Sequence, residues 1–173
     1  KVVSESDGTT NVKEVTVNDY QSDNSVPSDS ISNYKASCLD EINKPSFYKR
    51  IYGSKNKITI KLKNISYIND ELFFSIVLSN ESTLDYDINF LNYYITSRNK
   101  KKTTTTQTIP YTAKYIHNNP TKIKSGEVLD VVYVYTKFTI NENKILLLEM
   151  SEDNGERTVR LEIPNTFINN PNI

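Results

Sequence analysis

The chain has 173 residues, enough for one domain with an extension, and its Lys plus Arg and its Asp plus Glu both count 21. That balance excludes a global field that would draw the molecule to nucleic acid or anionic lipid. A single cysteine excludes an intrachain disulfide, and no apolar stretch approaches the roughly 20 residues that span a bilayer.

The charge is unevenly placed. Residues 1–46 hold 8 acids and 4 bases, and residues 47–173 hold 13 acids and 17 bases, a mild dipole. Twelve Tyr, six Phe and many Ile suit a pleated, half-buried surface, and with Ala only at Ala36 and Ala113 a large helical bundle is not expected. The chain starts at Lys1 without a signal segment and reads as a mature or trimmed fragment.

Residues 1–27 are dominated by Ser, Thr, Asp and Asn, too polar to offset their conformational entropy by burial, and read as a flexible linker or arm. Val12–Val17 alternates and could dock as an edge strand. Residues 28–46 read as an amphipathic helix and its connection. Ser28, Asp29 or Ser30 offers the N-cap, and Ile31, Tyr34, Cys38, Leu39 and Ile42 follow at helical spacing. Pro45 marks the stop. These five residues are the expected docking face, because so short a helix is marginal alone.

From Lys57 the period changes to two. Ile58, Ile60 and Leu62 alternate with polar residues, Asn69-Asp70 supplies a turn, and Leu72, Phe74, Ile76 and Leu78 alternate with Phe73, Ser75 and Val77. Tyr86, Ile88 and Phe90 oppose Asp87, Asn89 and Leu91, with the strand running on through Ile95. Segments at 109–115, 128–135, 145–150 and 157–163 follow, the last two joined by Asp153-Asn154-Gly155, a strong hairpin signal. The pattern predicts an all-β fold, an immunoglobulin-like antiparallel β-sandwich of about seven strands over residues 47–168, with a tail at 169–173. Leu129, Val131, Tyr133 and Tyr135 face one way and Val128, Val132 and Val134 the other, so this strand needs a cover on its second face. The helix is the expected cover.

Little chemistry is on offer. His117 is the only histidine and reads as a solvated loop residue, and neither a zinc site nor a Ser-His-Asp triad has the partners it needs. Cys38 reads as a buried structural thiol. Gly8, Gly53, Gly126 and Gly155 build no phosphate loop. Asp70-Glu71, Asp85 with Asp87 and Glu152-Asp153 sit in turns, where acids solvate, and Asn80-Glu81-Ser82 fits the glycosylation pattern only as common tripeptides do. No catalytic, metal-binding or cofactor-binding residue is named. Arg98, Lys100, Lys101 and Lys102 form a basic hairpin tip flanked by Tyr93 and Tyr94. With Tyr93, Tyr133 and Tyr135 they are the candidate partner contacts.

Residues 58–163 resemble the TraN proteins of conjugative transposons of the Bacteroides type. Ile65–Phe74 resembles the family's first hairpin, and Tyr86–Phe90, Tyr94-Ile95 and the Lys100–Lys102 tip its most recognisable stretch. Tyr115, Lys122–Gly126, Lys137–Ile140, and Asn154-Gly155 before Arg157 and Leu161 continue the pattern in order. Asn89 and Asn92 stand where the family pattern leads one to expect an acid and an arginine, and Glu156 where a second glycine is usual. Residues 1–30 do not resemble the family's amino-terminal β-domain. The resemblance implies a non-catalytic structural subunit of a type IV secretion-like conjugation channel, in the outer-membrane core region facing the periplasm of a Gram-negative cell. It implies other subunits of the apparatus as partners, with further copies of itself within a ring, no dedicated nucleic-acid site and no cofactor. The competing reading is a secreted or surface binding module that recognises a glycan or protein through exposed tyrosines.

Overall fold

The computed structural model describes residues 28–98 and 109–172. In chain order it contains α1 (Ser28–Asn43), β1 (Tyr52–Lys55), β2 (Ile58–Ile68), β3 (Glu71–Asn80), β4 (Tyr86–Ser97), β5 (Ile109–Tyr111) and β6 (Tyr115–His117). There follow β7 (Lys122–Ile123), β8 (Val128–Thr136), β9 (Lys144–Glu152), β10 (Thr158–Pro164) and α2 (Asn165–Asn169). The strands pair antiparallel in two sheets, one ordered β1-β2-β3-β8-β6, the other β10-β9-β4-β5 with β7 also on β4. This is an all-β sandwich. The expected segment at 109–115 divides into β5 and β6, one in each sheet, and the short β1 and β7 are additions to the seven strands expected.

Two-residue loops close the first hairpins. Asn56-Lys57 and Asn69-Asp70 all take positive φ, between 50° and 64°, the mirror-image turn whose twist matches the flanking strands. The loop at Asp153–Gly155 is longer than its sequence suggests. Ser151 pairs with Thr158, and the Glu152 amide donates to the Arg157 carbonyl at 3.2 Å. Only Asn154 takes positive φ there, 51°.

One core fills the space between the sheets. Ile58, Ile60, Leu62, Leu72, Phe74, Ile76, Leu78, Val131, Leu146, Leu148, Val159 and Leu161 are fully buried in it. Two irregularities set which residues reach it. In β2 the register shifts between Leu62 and Asn64, so Lys63 is an extra residue and the inward series passes from Leu62 to Ile65. In β4 it shifts between Ile88 and Phe90. Beyond that bulge Leu91, Tyr93 and Ile95 face the core, whereas Phe90, expected on the same face as Tyr86 and Ile88, does not belong to it.

Helix α1 covers the outer face of the first sheet, as the two-sided strand required. Cys38 packs with Phe73, Val132 and Val134 in a second cluster, joined by Tyr34, Ile42, Ile68 and Tyr115. The Tyr34 hydroxyl donates to Glu71 at 2.6 Å, and its ring stacks on Tyr115 at 5.4 Å. Glu41 is completely buried and accepts from the Ser66 hydroxyl at 2.7 Å and from Lys44 at 2.6 Å. The bulged Lys63 donates to the Ile42 carbonyl at the helix end. Ile31 and Leu39, assigned above to the docking face, are 43% and 44% exposed. A sheet accepts a stripe only as wide as one row of contacts, and Tyr34, Cys38, Glu41 and Ile42 fill it. At the other end of the chain, Ile168 of α2 is buried and Asn172 bridges Ser66, so residues read as a tail extend the edge of β2.

Candidate functional site

Tyr93, Tyr133 and Tyr135, offered by the sequence as partner contacts, are 3%, 2% and 1% exposed. The bulge in β4 turns Tyr93 inward, and β8 turns Tyr133 and Tyr135 to the core with Val131. The three nevertheless converge. The Tyr93 ring lies 4.8 Å from Tyr133 and 5.4 Å from Tyr135, and Tyr111 lies 5.3 Å from Tyr135. Burial raises all three phenols well above the ordinary tyrosine value, with mutual repulsion adding at Tyr93 and Tyr135, so they stay neutral.

These tyrosines form the floor of a cleft of about 220 Å³ whose rim includes Leu91, Asn92, Pro110, Thr112, Ala113 and Ile116. Its origin is topological. On the side of β4 away from β9, β5 pairs with Tyr93–Ile95 and β7 with Tyr86-Asp87. Between them the chain leaves for the other sheet, forms β6 on β8, and returns at Thr121, whose carbonyl accepts from the Ile88 amide at 2.8 Å. Among the described residues, Asn89–Asn92 therefore has a strand neighbour on its β9 side alone. The hydroxyls of Tyr93 and Tyr133 are buried without a hydrogen-bond partner. A buried neutral hydroxyl without a partner is uncommon and asks for a reason.

The other candidates fall into packing and pairing. His117 is buried at 8% exposure in β6, opposite Val132, not solvated in a loop. Burial, and secondarily the Lys35 ammonium, lower its pKa. Burial, and secondarily Glu41, push the Cys38 thiol up to about 12, which keeps it an unreactive thiol at neutral pH. Glu152, read as a solvated turn acid, is drawn down by Arg157, which it holds as an ion pair. That guanidinium also donates to the Ser82 hydroxyl at 3.1 Å and the Asp85 carbonyl at 2.7 Å, over the Tyr86 ring. Asp85 and Asp87 share Lys122. Asn80 is fully buried, its amide nitrogen donating to the Leu84 and Ile123 carbonyls, so it is no glycosylation acceptor. No group of three or more His, Cys, Asp or Glu side chains that could hold a metal occurs among the described residues. No described helix is long and apolar enough to cross a membrane.

Arg98 is exposed at the end of β4, its amide donating to the Asn143 carbonyl at 2.8 Å. Lys100, Lys101 and Lys102 lie outside the described residues. A second basic region is legible in the sequence. Residues 42–69 hold seven bases and no acid. Lys44 pairs with Glu41 and Lys63 with Asp130, but Lys49, Arg50, Lys55, Lys57 and Lys61 pair with no acid among the described residues. Beside them stand Phe47 and Tyr52, 68% and 60% exposed.

The family described as a domain of unknown function, DUF4138, matches residues 37–172. No curated protein matches the chain.

Proposed function

The chain belongs to the DUF4138 family, and from the resemblance of residues 58–163 to the TraN proteins we propose that it is a non-catalytic structural subunit of a conjugative transfer apparatus. In this reading it works by protein–protein assembly in the outer-membrane core region, on the periplasmic side. One observation carries the reading. The colinear block that resembles the TraN proteins, residues 58–163, lies wholly inside the 37–172 match, and those of its quoted segments that fall among the described residues belong to the strands, turns and loops of the sandwich. The disposition of the reactive side chains supports it. The histidine and the cysteine are packed, Glu152 is paired with Arg157, and Asp85 and Asp87 share Lys122.

The test is recovery of partner subunits from an intact transfer apparatus with this chain as bait. Other apparatus subunits should co-purify in a fixed ratio, and His117→Ala should leave transfer intact. Lys100→Glu, Lys101→Glu and Lys102→Glu combined should impair co-purification while the circular dichroism of the sandwich is retained. Clustered cations steer association with an acidic surface, an attraction that weakens with salt. Intact co-purification by the triple variant, with tight duplex or single-stranded DNA binding by the parent at physiological salt, would assign the tip to DNA.

A further inference from the structure

We propose that the gap between β5 and β7 is an acceptor site for an extended peptide segment of a partner chain, which adds a short strand to β4 and places a bulky apolar side chain in the tyrosine cleft. Two independent features meet there. The first is backbone. Asn89–Asn92 is a stretch of β4 bounded by β5 at Tyr93 and by β7 at Asp87, and among the described residues it pairs on the β9 side alone. Four residues of strand run about 13 Å, enough for three or four residues of an incoming chain. The second is the cleft behind that edge. Tyr93 comes from one sheet and Tyr133 from the other, both at least 97% buried and both with hydroxyls lacking a partner.

Together these match strand addition, in which main-chain hydrogen bonds hold the peptide and a pocket selects every second side chain. The occupant's chemistry follows from the lining. Tyr93, Tyr111, Tyr133, Tyr135, Leu91 and Ile116 present ring and aliphatic surface, so the inserted side chain is aromatic or large and aliphatic. The neutral phenols are donors, and a peptide carbonyl is the acceptor such a segment brings with it. A glycan is a poorer fit, because these rings pack edge to face and present no open stacking platform. The inference concerns this chain alone. Failure of peptide binding would leave the assembly reading standing, and failure of co-purification would leave the acceptor site standing.

The experiment is an NMR titration of the full isotope-labelled chain with the capped peptide acetyl-Ser-Phe-Thr-Val-amide, its Phe→Ser counterpart, and phenol. The proposal expects the first peptide to move the amide signals of Asn89–Asn92 and the ring signals of Tyr93 and Tyr133. The Phe→Ser peptide should bind far more weakly. Tyr133→Phe, which removes one unpartnered oxygen, should weaken binding about fivefold, the worth of one hydrogen bond, while the melting temperature stays level or rises. Three results would overturn it. These are no shifts at millimolar peptide, shifts confined to another sheet edge, and phenol binding that equals the peptide's without moving the Asn89–Asn92 amides.

Discussion

Gly53 sits where β1 passes against β10, and a Cβ built on it would lie 1.7 Å from the Arg160 carbonyl oxygen. That contact is backbone against backbone, so no side chain can swing aside. Gly53→Ala must push the edge strand off its neighbour, and urea denaturation should show a loss of about 2 kcal/mol or more. The sequence flagged Gly53 only as one of four glycines, since a close approach between segments a hundred residues apart leaves no local mark. Gly155 lies in the turn that the Asn-Gly pair predicts, and it has a steric role there as well. Its Cβ would lie 2.2 Å from the Glu152 carboxylate, and Asn154 supplies the positive φ. His117 likewise escaped reading, because β6 is three residues long and shows no alternation. Its lowered pKa has a consequence. The unfolded chain takes up a proton near pH 6.5 that the folded chain refuses until lower pH, so the stability held above pH 6.5 is lost as pH falls through that window. Thermal melts of His117→Gln should lose part of the downward slope that the parent shows on acidification below pH 6.5. An equal slope in both would mean that His117 titrates normally.

At the scale of elements, α1 shows what periodicity can and cannot deliver. Its existence, its end before Pro45 and its role as cover for β8 were all legible, since Val132 and Val134 needed an apolar partner. Which of its residues touch was not, because a 3.6-residue period fixes a broad stripe and the sheet chooses the row. The hidden Glu41 could not be read at all. Its partner Ser66 faces the helix only because the Lys63 bulge changes the phase of β2. The same limit explains Tyr93, which simple alternation from Tyr86 places outside and the β4 bulge turns in. The two helix faces therefore predict opposite behaviour. Leu39→Asp, on the exposed side, should change unfolding free energy by less than about 0.5 kcal/mol. Cys38→Asp, which carries a charge into the seam with Phe73 and Val134, should cost about 2 kcal/mol or more. Alkylation supplies an independent check on the parent. A thiol with its pKa raised to about 12 should resist iodoacetamide at neutral pH until denaturant lifts the helix.

For the whole molecule, a net charge of zero conceals a separation of charge along the chain. Residues 42–69 carry seven bases without an acid, so the remainder carries a net charge of −7. Among the described residues, ion pairs neutralise two of the seven, with Glu41 and Asp130. Lys49 and Arg50 lead into β1, Lys55 and Lys57 bracket its turn, and Lys61 pairs opposite the exposed Tyr52, so five cations follow one edge of the sandwich. Lysines on an edge strand discourage another sheet from adding there, which leaves the β4 gap, with its exposed Asn89 and Asn92, as the more open place for strand addition. The same arrangement makes a prediction that needs no partner. Adsorption depends on the local field of the face presented, so a molecule whose cations share one edge binds an anionic surface even when its total charge is zero. At pH 7 and low salt, close to the sequence pI of about 6.8, the chain should be retained on a sulfonate cation-exchange column and released as the screening length shortens. Lys49→Glu, Arg50→Glu and Lys61→Glu combined should abolish that retention, whereas reversing the same number of lysines at Lys122, Lys124 and Lys137 should weaken it far less. Lys122 and Lys137 are already held by Asp85, Asp87 and Asp70. Equal losses in the two triple variants would mean that retention follows total charge and that the β1–β2 edge has no separate field.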